Sequence, residues 1–338
     1  MKCLSLFSGI GGFDLACKRK GIKVIEACEI DKYARSIYAR QFPGIPIHED
    51  ATKIKAKELP DFDLLCAEFP CQAFSIAGKR LGFKESRGTL FFEIARIAKQ
   101  KRPGLLLLEN VRGLLSHDKG RTFKVILSAL DEIGYDAQWQ VCNSKYFVPQ
   151  NRQRIFIVGH LRGECRPKVF PVRKDDKTHE EKRTNVNALQ VAGHSGGLHS
   201  QMTGIVVRDG IKQERNMSTS IDSSYFKGSD NHGQRTLVEI IQLNKPKHAS
   251  NRIYDPKGIA KTMISKPGSK GGKTGLYKTE KGIRRLTPIE CEKLQGFPKD
   301  FSKYGKDGEL ISDTQRYKCL GNAVTVPVVE YILERLLK

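Results

Sequence analysis

No stretch of this sequence stays apolar for long. The longest strongly apolar run is Leu105–Leu108, whereas a bilayer-spanning helix needs roughly 20 apolar residues. A membrane-spanning protein is therefore not expected. The opening, Met1-Lys2-Cys3-Leu4-Ser5-Leu6-Phe7, meets glycines before it can build the long apolar core of a secretory signal. It reads as a first strand, and the protein as cytoplasmic. Paired cysteine spacings are also missing. Nine cysteines, an odd number, are scattered without CxxC, and no His/Cys cluster has the spacing of a zinc site. Neither a disulfide framework nor a metal is expected. Cys3, Cys17, Cys28, Cys66, Cys142 and Cys319 sit in apolar or mixed runs and read as small buried hydrophobes. Acidic residues are in deficit, with 37 Asp+Glu against 59 Lys+Arg and a net charge of +22. Such a surplus favours a polyanionic partner, without separating DNA from RNA.

The chain has 338 residues, long enough for two domains with their own cores. Strand-like runs at Cys3–Phe7, Val24–Cys28, Phe62–Cys66, Leu105–Leu108 and Ile155–Val158 alternate with helical stretches at Phe13–Lys20, Lys32–Gln41, Leu90–Gln100 and Thr122–Ile133. That alternation predicts an α/β fold, a Rossmann-like, mostly parallel sheet covered on both faces. Beyond about Arg162 the chain turns polar, with weak periodicity and short strand-like runs at Gly204–Val207, Leu237–Leu243 and Thr262–Ser265. We divide it into a first domain at 1–174, a smaller loop-rich domain at 175–302, and a segment at 303–338 that packs back on the first. The helical pattern Pro327–Leu337 needs such a partner for its apolar face. Between Lys245 and Arg285 stand twelve Lys or Arg against two acids, Asp255 and Glu280, a surface suited to a nucleic-acid backbone.

Open α/β sheets bind ligands at the carboxyl ends of their strands. After the first strand comes Phe7-Ser8-Gly9-Ile10-Gly11-Gly12-Phe13, a turn that lets a ligand approach the backbone. A dinucleotide fingerprint would end in glycine where Asp14 stands, and an aspartate at a helix start suits a phosphate poorly. Glu29 and Asp31 follow the second strand, where a carboxylate can bind ribose hydroxyls, and Asp50 follows the next apolar run. Adenosine without phosphates, attached to a methionine, satisfies the set. Cys71, behind Pro70, is displayed after the strand Phe62–Cys66. Glu109 follows four leucines, where burial can raise its pKa and let it carry a proton. Arg152 and Arg154 are two residues apart and, on an extended chain, face one anionic or carbonyl-rich site.

These pieces resemble the DNA (cytosine-5) methyltransferase family, especially the small bacterial restriction–modification type. The matching stretches are FSGIGG at Phe7–Gly12, FPCQAFS at Phe69–Ser75, RGTLFF at Arg87–Phe92, ENV at Glu109–Val111, QNRQR at Gln150–Arg154, RRLTPIECEKLQGFP at Arg284–Pro298, and Gly321-Asn322. They stand in the family's order and at its distances. Roughly 175–245 is unmatched in detail, Asn216–His232 has no counterpart, and Ala323 replaces a frequent serine.

The resemblance implies an S-adenosylmethionine-dependent methyltransferase fold with a target-recognition domain, acting on double-stranded DNA. Cys71 is implied as the nucleophile toward C6, Glu109 as the group on N3 and the exocyclic amine, Arg154 as the contact to O2, and Arg152 as support for the nucleophile. Cofactor positions fall on Phe7, Gly9, Gly11, Glu29, Ile30, Asp50, Pro70, Leu90 and Asn322. Tyr254–Leu276 resembles the recognition core, with Thr262 near the target phosphate and Arg252, Lys266, Lys270 and Lys273 as further nucleic-acid contacts. A monomer is expected, with a possible restriction endonuclease in the same system but no stable complex. An RNA cytosine-5 methyltransferase and a non-catalytic DNA-binding protein of the same fold remain as alternatives at this point.

Replacing Lys266, Lys270 and Lys273 by alanine should flatten the dependence of DNA affinity on salt, by about 0.9 in the log–log slope for each phosphate no longer neutralised. An unchanged slope in filter-binding titrations would mean that the segment is only solvated surface.

Overall fold

The computed structural model describes residues 1–70, 90–163, 169–171, 203–205, 242–244, 252–255, 259–263, 275–279 and 282–338. Cys71, Lys266, Lys270 and Lys273, and the expected run Leu237–Leu243 up to residue 241, lie outside them.

Strand β1 (Lys2–Leu6) leads through the glycine turn into α1 (Gly12–Arg19). β2 (Lys23–Cys28), α2 (Lys32–Gln41) and the short β3 (Ile47–His48) follow. Then come β4 (Leu64–Glu68), α3 (Leu90–Lys101), β5 (Leu105–Val111) and α4 (Arg121–Glu132). β6 (Tyr135–Asn143), β7 (Gln150–Asn151) and β8 (Gln153–Leu161) are closely spaced, and β9 is Thr203–Ile205. The sheet order is β3-β2-β1-β4-β5-β8-β6-β9. β3 to β5 pair in parallel, whereas β8 runs antiparallel to both β5 and β6. β6 was not foreseen as a strand, and β8 returns into the gap between β5 and β6 instead of extending the parallel series. β9 hydrogen-bonds to β6 at the sheet edge, although it falls in the stretch expected to form the second domain. Of the expected strand Thr262–Ser265, Thr262 and Met263 are not in a strand, and residues 264–265 lie outside the described residues. The strand there is Ala260–Lys261, and Thr262 lies beyond it.

The central strands are apolar on successive residues because both faces are covered. Leu105 and Leu107 enter one core cluster, Leu106 and Leu108 the other. Asp31 caps α2 by accepting from Tyr33 N at 2.9 Å and Ala34 N at 3.1 Å.

A smaller three-stranded sheet joins β10 (Ile253–Tyr254), β12 (Leu276–Thr279) and β13 (Gly282–Arg284). β11 (Ala260–Lys261) pairs with β7, tying this region to the QNRQR stretch. α5 (Pro288–Gln295) starts in a Thr287/Glu290 capping box, and α6 is Asp313–Asn322. α7 (Val326–Leu336) buries Val326, Val328, Val329, Ile332, Leu333 and Leu336 in the same core cluster as α1. Burial of such side chains stabilises by about 1.5–3 kcal/mol each. The ion pairs Arg19–Glu330 and Lys20–Glu334 at its rim add about 0–1 kcal/mol apiece, so packing and not charge holds the helix down. No helix of the described residues is long and apolar enough to cross a membrane.

Candidate active site

The glycine turn bends sharply where β1 ends. Phe7, Gly9 and Gly11 all have positive φ. At Gly11, the α1 N-cap, a Cβ would stand 2.2 Å from the Phe42 ring, so only glycine fits. At Gly9 a Cβ would meet nothing within 4 Å, so the turn is open on that side. Glu29 holds the turn in place. Its Oε2 accepts from Gly9 N and its Oε1 from Asp31 N, both at 2.8 Å. Burial raises the Glu29 pKa, and these N–H groups counter the rise. Each oxygen keeps a lone pair for a further donor. Ile30 is 73% exposed beside it, an apolar platform at the mouth. Asp50 accepts from Thr52 N and Oγ1 and so caps a short turn of its own. Asp31 is engaged by Lys318 at 2.5 Å.

Asp14 does not face the turn's ligand side. It is fully buried and accepts from Ser5 Oγ at 2.9 Å and Tyr38 Oη at 2.6 Å, while burial pushes its pKa up to about 7. Glu68, which ends β4, was not singled out in the sequence. It lies under the same turn, its Oε1 3.4 Å from where a Cβ on Gly12 would stand. Asp14, Glu29, Glu68 and Glu109 thus surround one region, and their mutual repulsion is among the causes that raise the Glu68 pKa. Acids so placed make the turn a poor site for a phosphate. The Glu29 carboxylate, the exposed Ile30 and the glycine turn are the residues that could hold an adenosyl group here.

Glu109 and Asn110 are the last buried residues of β5 itself, not the start of a loop after it. Glu109 is 5% exposed. Arg154 Nε approaches its Oε1 to 2.8 Å, although Oε1 has no well-directed hydrogen bond. Burial raises the Glu109 pKa, and Arg154 and Arg152 pull it back only in part. Asn110 Nδ2 donates to Phe69 O at 2.7 Å, fastening the backbone two residues before Cys71. Pro70 is exposed beyond it, and Leu90 opens α3 half-buried.

Arg152 is fully buried between β7 and β8. It donates to Met263 O at 3.0 Å, Gly321 O at 3.0 Å and Ala323 O at 2.8 Å, with a longer approach to Asn322 O at 3.5 Å. Three chain-distant segments meet on one guanidinium. Arg152 and Arg154 therefore act differently. The first ties carbonyls together, and the second pairs with Glu109. The Thr262 hydroxyl donates to Asn151 O, beside the β7–β11 pairing. Arg252 flanks β10 half-exposed. Burial raises the thiols of Cys28, Cys142, Cys291 and Cys319 to about 12, so none is a nucleophile near neutral pH. Topology, and not spacing, brings Cys3, Cys17 and Cys66 together in the core, their sulfurs within 4.8 Å of one another.

The fold and this carboxyl-edge site are those of a methyltransferase. The whole chain, residues 1–338, matches the family described as C-5 cytosine-specific DNA methylase. It is 36% identical over 340 residues to the type II methyltransferase M1.ScrFI of Lactococcus lactis subsp. cremoris, spanning 100% of this chain and 78% of that protein. It is 33% identical to the type II methyltransferase M.HhaI of Haemophilus parahaemolyticus, spanning 98% and 93%. Among solved structures, the S. pombe Dnmt2 methyltransferase superposes with a TM-score of 0.65 at 18% identity, covering 100% and 98% of the two chains, a likeness of fold. This chain belongs to the C-5 cytosine-specific DNA methylase family. It is a DNA (cytosine-5-)-methyltransferase of the type II restriction–modification kind, from a family that uses S-adenosylmethionine.

Glu29→Gln should weaken cofactor binding by about 10- to 100-fold, because the amide cannot accept from both Gly9 N and Asp31 N, and each charge-assisted hydrogen bond is worth about 1.5–3 kcal/mol. DNA affinity should hold. Calorimetric titration with each ligand decides it, and equal losses for both would contradict the assignment.

Proposed function

We propose that this enzyme methylates C5 of a cytosine flipped out of a specific double-stranded DNA sequence, by way of a transient bond between Cys71 and C6. The observation that carries this reading is the buried Glu109 carboxyl, raised in pKa and paired with Arg154, on the strand whose Asn110 fastens the approach to Cys71.

C5 of cytosine is a weak nucleophile. Addition of the Cys71 thiolate to C6, with protonation at N3, turns C5 into an enamine carbon. Glu109 is suited to N3 because a neutral carboxyl donates through one oxygen and accepts from the exocyclic amine through the other. Arg154 holds that carboxyl from one side and can turn its remaining N–H groups to O2. S-adenosylmethionine supplies the electrophilic methyl that C5 takes. Loss of the C5 proton then expels Cys71 as thiolate, and N3 gives up its proton. None of this is possible in a stacked duplex, so the base is flipped. Arg152 acts by position, fixing the QNRQR stretch to the Gly321–Ala323 turn.

In this reading the cofactor lies against Phe7, Gly9, Gly11, Glu29, Ile30, Asp50, Pro70, Leu90 and Asn322. Residues 175–302 supply the recognition surface, with Arg252, Thr262, Lys266, Lys270 and Lys273 on the DNA. The enzyme works as a monomer in the reducing cytoplasm, independently of any endonuclease of its system, and the scheme calls for no metal.

Bisulfite sequencing of treated DNA identifies the target. A duplex with 5-fluorocytosine at that position should then trap the adduct after methyl transfer, since fluorine cannot leave as a cation. Wild type should give a heat-stable shifted band, mapped by peptide mass spectrometry to Cys71. Cys71→Ser should give neither band nor appreciable methylation. An adduct on another cysteine would overturn the scheme.

A further inference from the structure

Glu68 takes no part in the reaction so far. It stands in register with Glu109 across the parallel β4–β5 pair, and neighbours in register project to the same face. Leu64 and Cys66 share their core face with Leu105 and Leu107, which puts both carboxyls on that side. Strands lie about 4.8 Å apart, so the two acids border one space. Glu68 Oε1 and Glu109 Oε1 are both closed to solvent; Glu109 Oε1 has the Arg154 ion pair but no well-directed hydrogen bond, and Glu68 Oε1 has no hydrogen-bond donor among the described residues.

Among the described residues, none supplies the missing donor. Arg152 faces Glu68 as a charge, but its terminal nitrogens are spent on the carbonyls of Met263, Gly321 and Ala323, and its Nε makes no hydrogen bond to either acid. Asp14 from α1 and Glu29 from the end of β2 add negative charge, and Arg154 is engaged by Glu109. At rest, two adjacent buried carboxyls of like charge resist ionising together. The donor shortage ends if one of them carries a proton.

We propose that Glu68 and Glu109 share a single proton, which Glu68 keeps at the site until Glu109 delivers it to N3 of the target cytosine. This rests on the assignment of Glu109 made above. As the thiolate adds to C6, the shared proton passes from Glu68 through Glu109 to N3, and until it returns both carboxyls are anions, held beside Arg152 and Arg154. When the thiolate leaves, the N3 proton returns to the pair, which ends as it began, with one proton and one negative charge. Burial and the Glu109 charge both push the Glu68 pKa up. The pair therefore keeps its proton to higher pH than Glu109 would alone, next to two arginines that favour its anion.

Glu68→Gln tests this, because the amide matches a neutral carboxyl in shape and cannot ionise. In single-turnover methylation at saturating cofactor and DNA, the alkaline limb of the pH–rate profile should move down by at least about one unit. That is about a tenfold loss on the falling limb, with rates at pH 6 within about threefold. Glu68→Asp, which keeps an ionisable group, should lie nearer wild type. A superimposable Glu68→Gln profile overturns the proposal, as does a loss confined to cofactor affinity. The second arm needs neither DNA nor turnover. With glutamate carbonyl-labelled with carbon-13, the infrared spectrum of wild type at pH 8 should hold a protonated-carboxyl band that Glu68→Gln lacks. Wild type without that band at pH 8 sinks the shared proton even if Glu68→Gln fails to fold. A band with no Glu109→Ala effect on methylation would instead fault the assigned role of Glu109.

Discussion

The Glu109 carboxyl meets the Arg154 guanidinium at 2.8 Å in a space nearly closed to water. A buried carboxylate without a counter-charge would be strongly destabilising. The pairing of β5 with β8, which sets Val111 opposite Arg154, is what makes Glu109 tolerable there. It also leaves the acid ambivalent. Burial favours the protonated form, the two arginines favour the anion, and a group balanced in this way can both give and regain a proton.

The antiparallel insertion of β8 follows from the same need. A purely parallel series would carry the QNRQR stretch away from β5, whereas the return of β8 between β5 and β6 places Arg154 beside Glu109. Arg152 then closes the other side by gathering carbonyls from residues 263, 321 and 323. The acids under the glycine turn complete the arrangement.

Much of this was legible in the sequence. Apolar runs ending in Glu29 and Glu109 mark strands whose carboxyl ends carry acids, and the structure has strands at both places. What escaped depends on partners far along the chain. β6 reads as mixed because Gln138 and Gln140 alternate with apolar residues, yet both are buried, and Gln138 Oε1 accepts from Val169 N at 3.1 Å. Asp14 looked like a ligand-facing acid until Tyr38 and Ser5 supplied its partners. Glu68 carried the same strand-end signal as Glu109 but sat in the shadow of Phe69-Pro70-Cys71. The Cys3, Cys17 and Cys66 cluster has no spacing signature, because β1, α1 and β4 each contribute one sulfur.

The central claim is that Glu109 protonates N3 as Cys71 adds to C6. Addition with protonation makes C5 exchangeable with solvent even when no methyl is available. The most direct measurement is therefore tritium release from a duplex carrying 5-tritiated cytosine at the target, with enzyme in excess and no cofactor. Wild type should release tritium, and Glu109→Ala should bind the duplex but release it at least about 100-fold more slowly, the usual scale of a lost proton-transfer group. Release by Glu109→Ala at the wild-type rate would contradict the account.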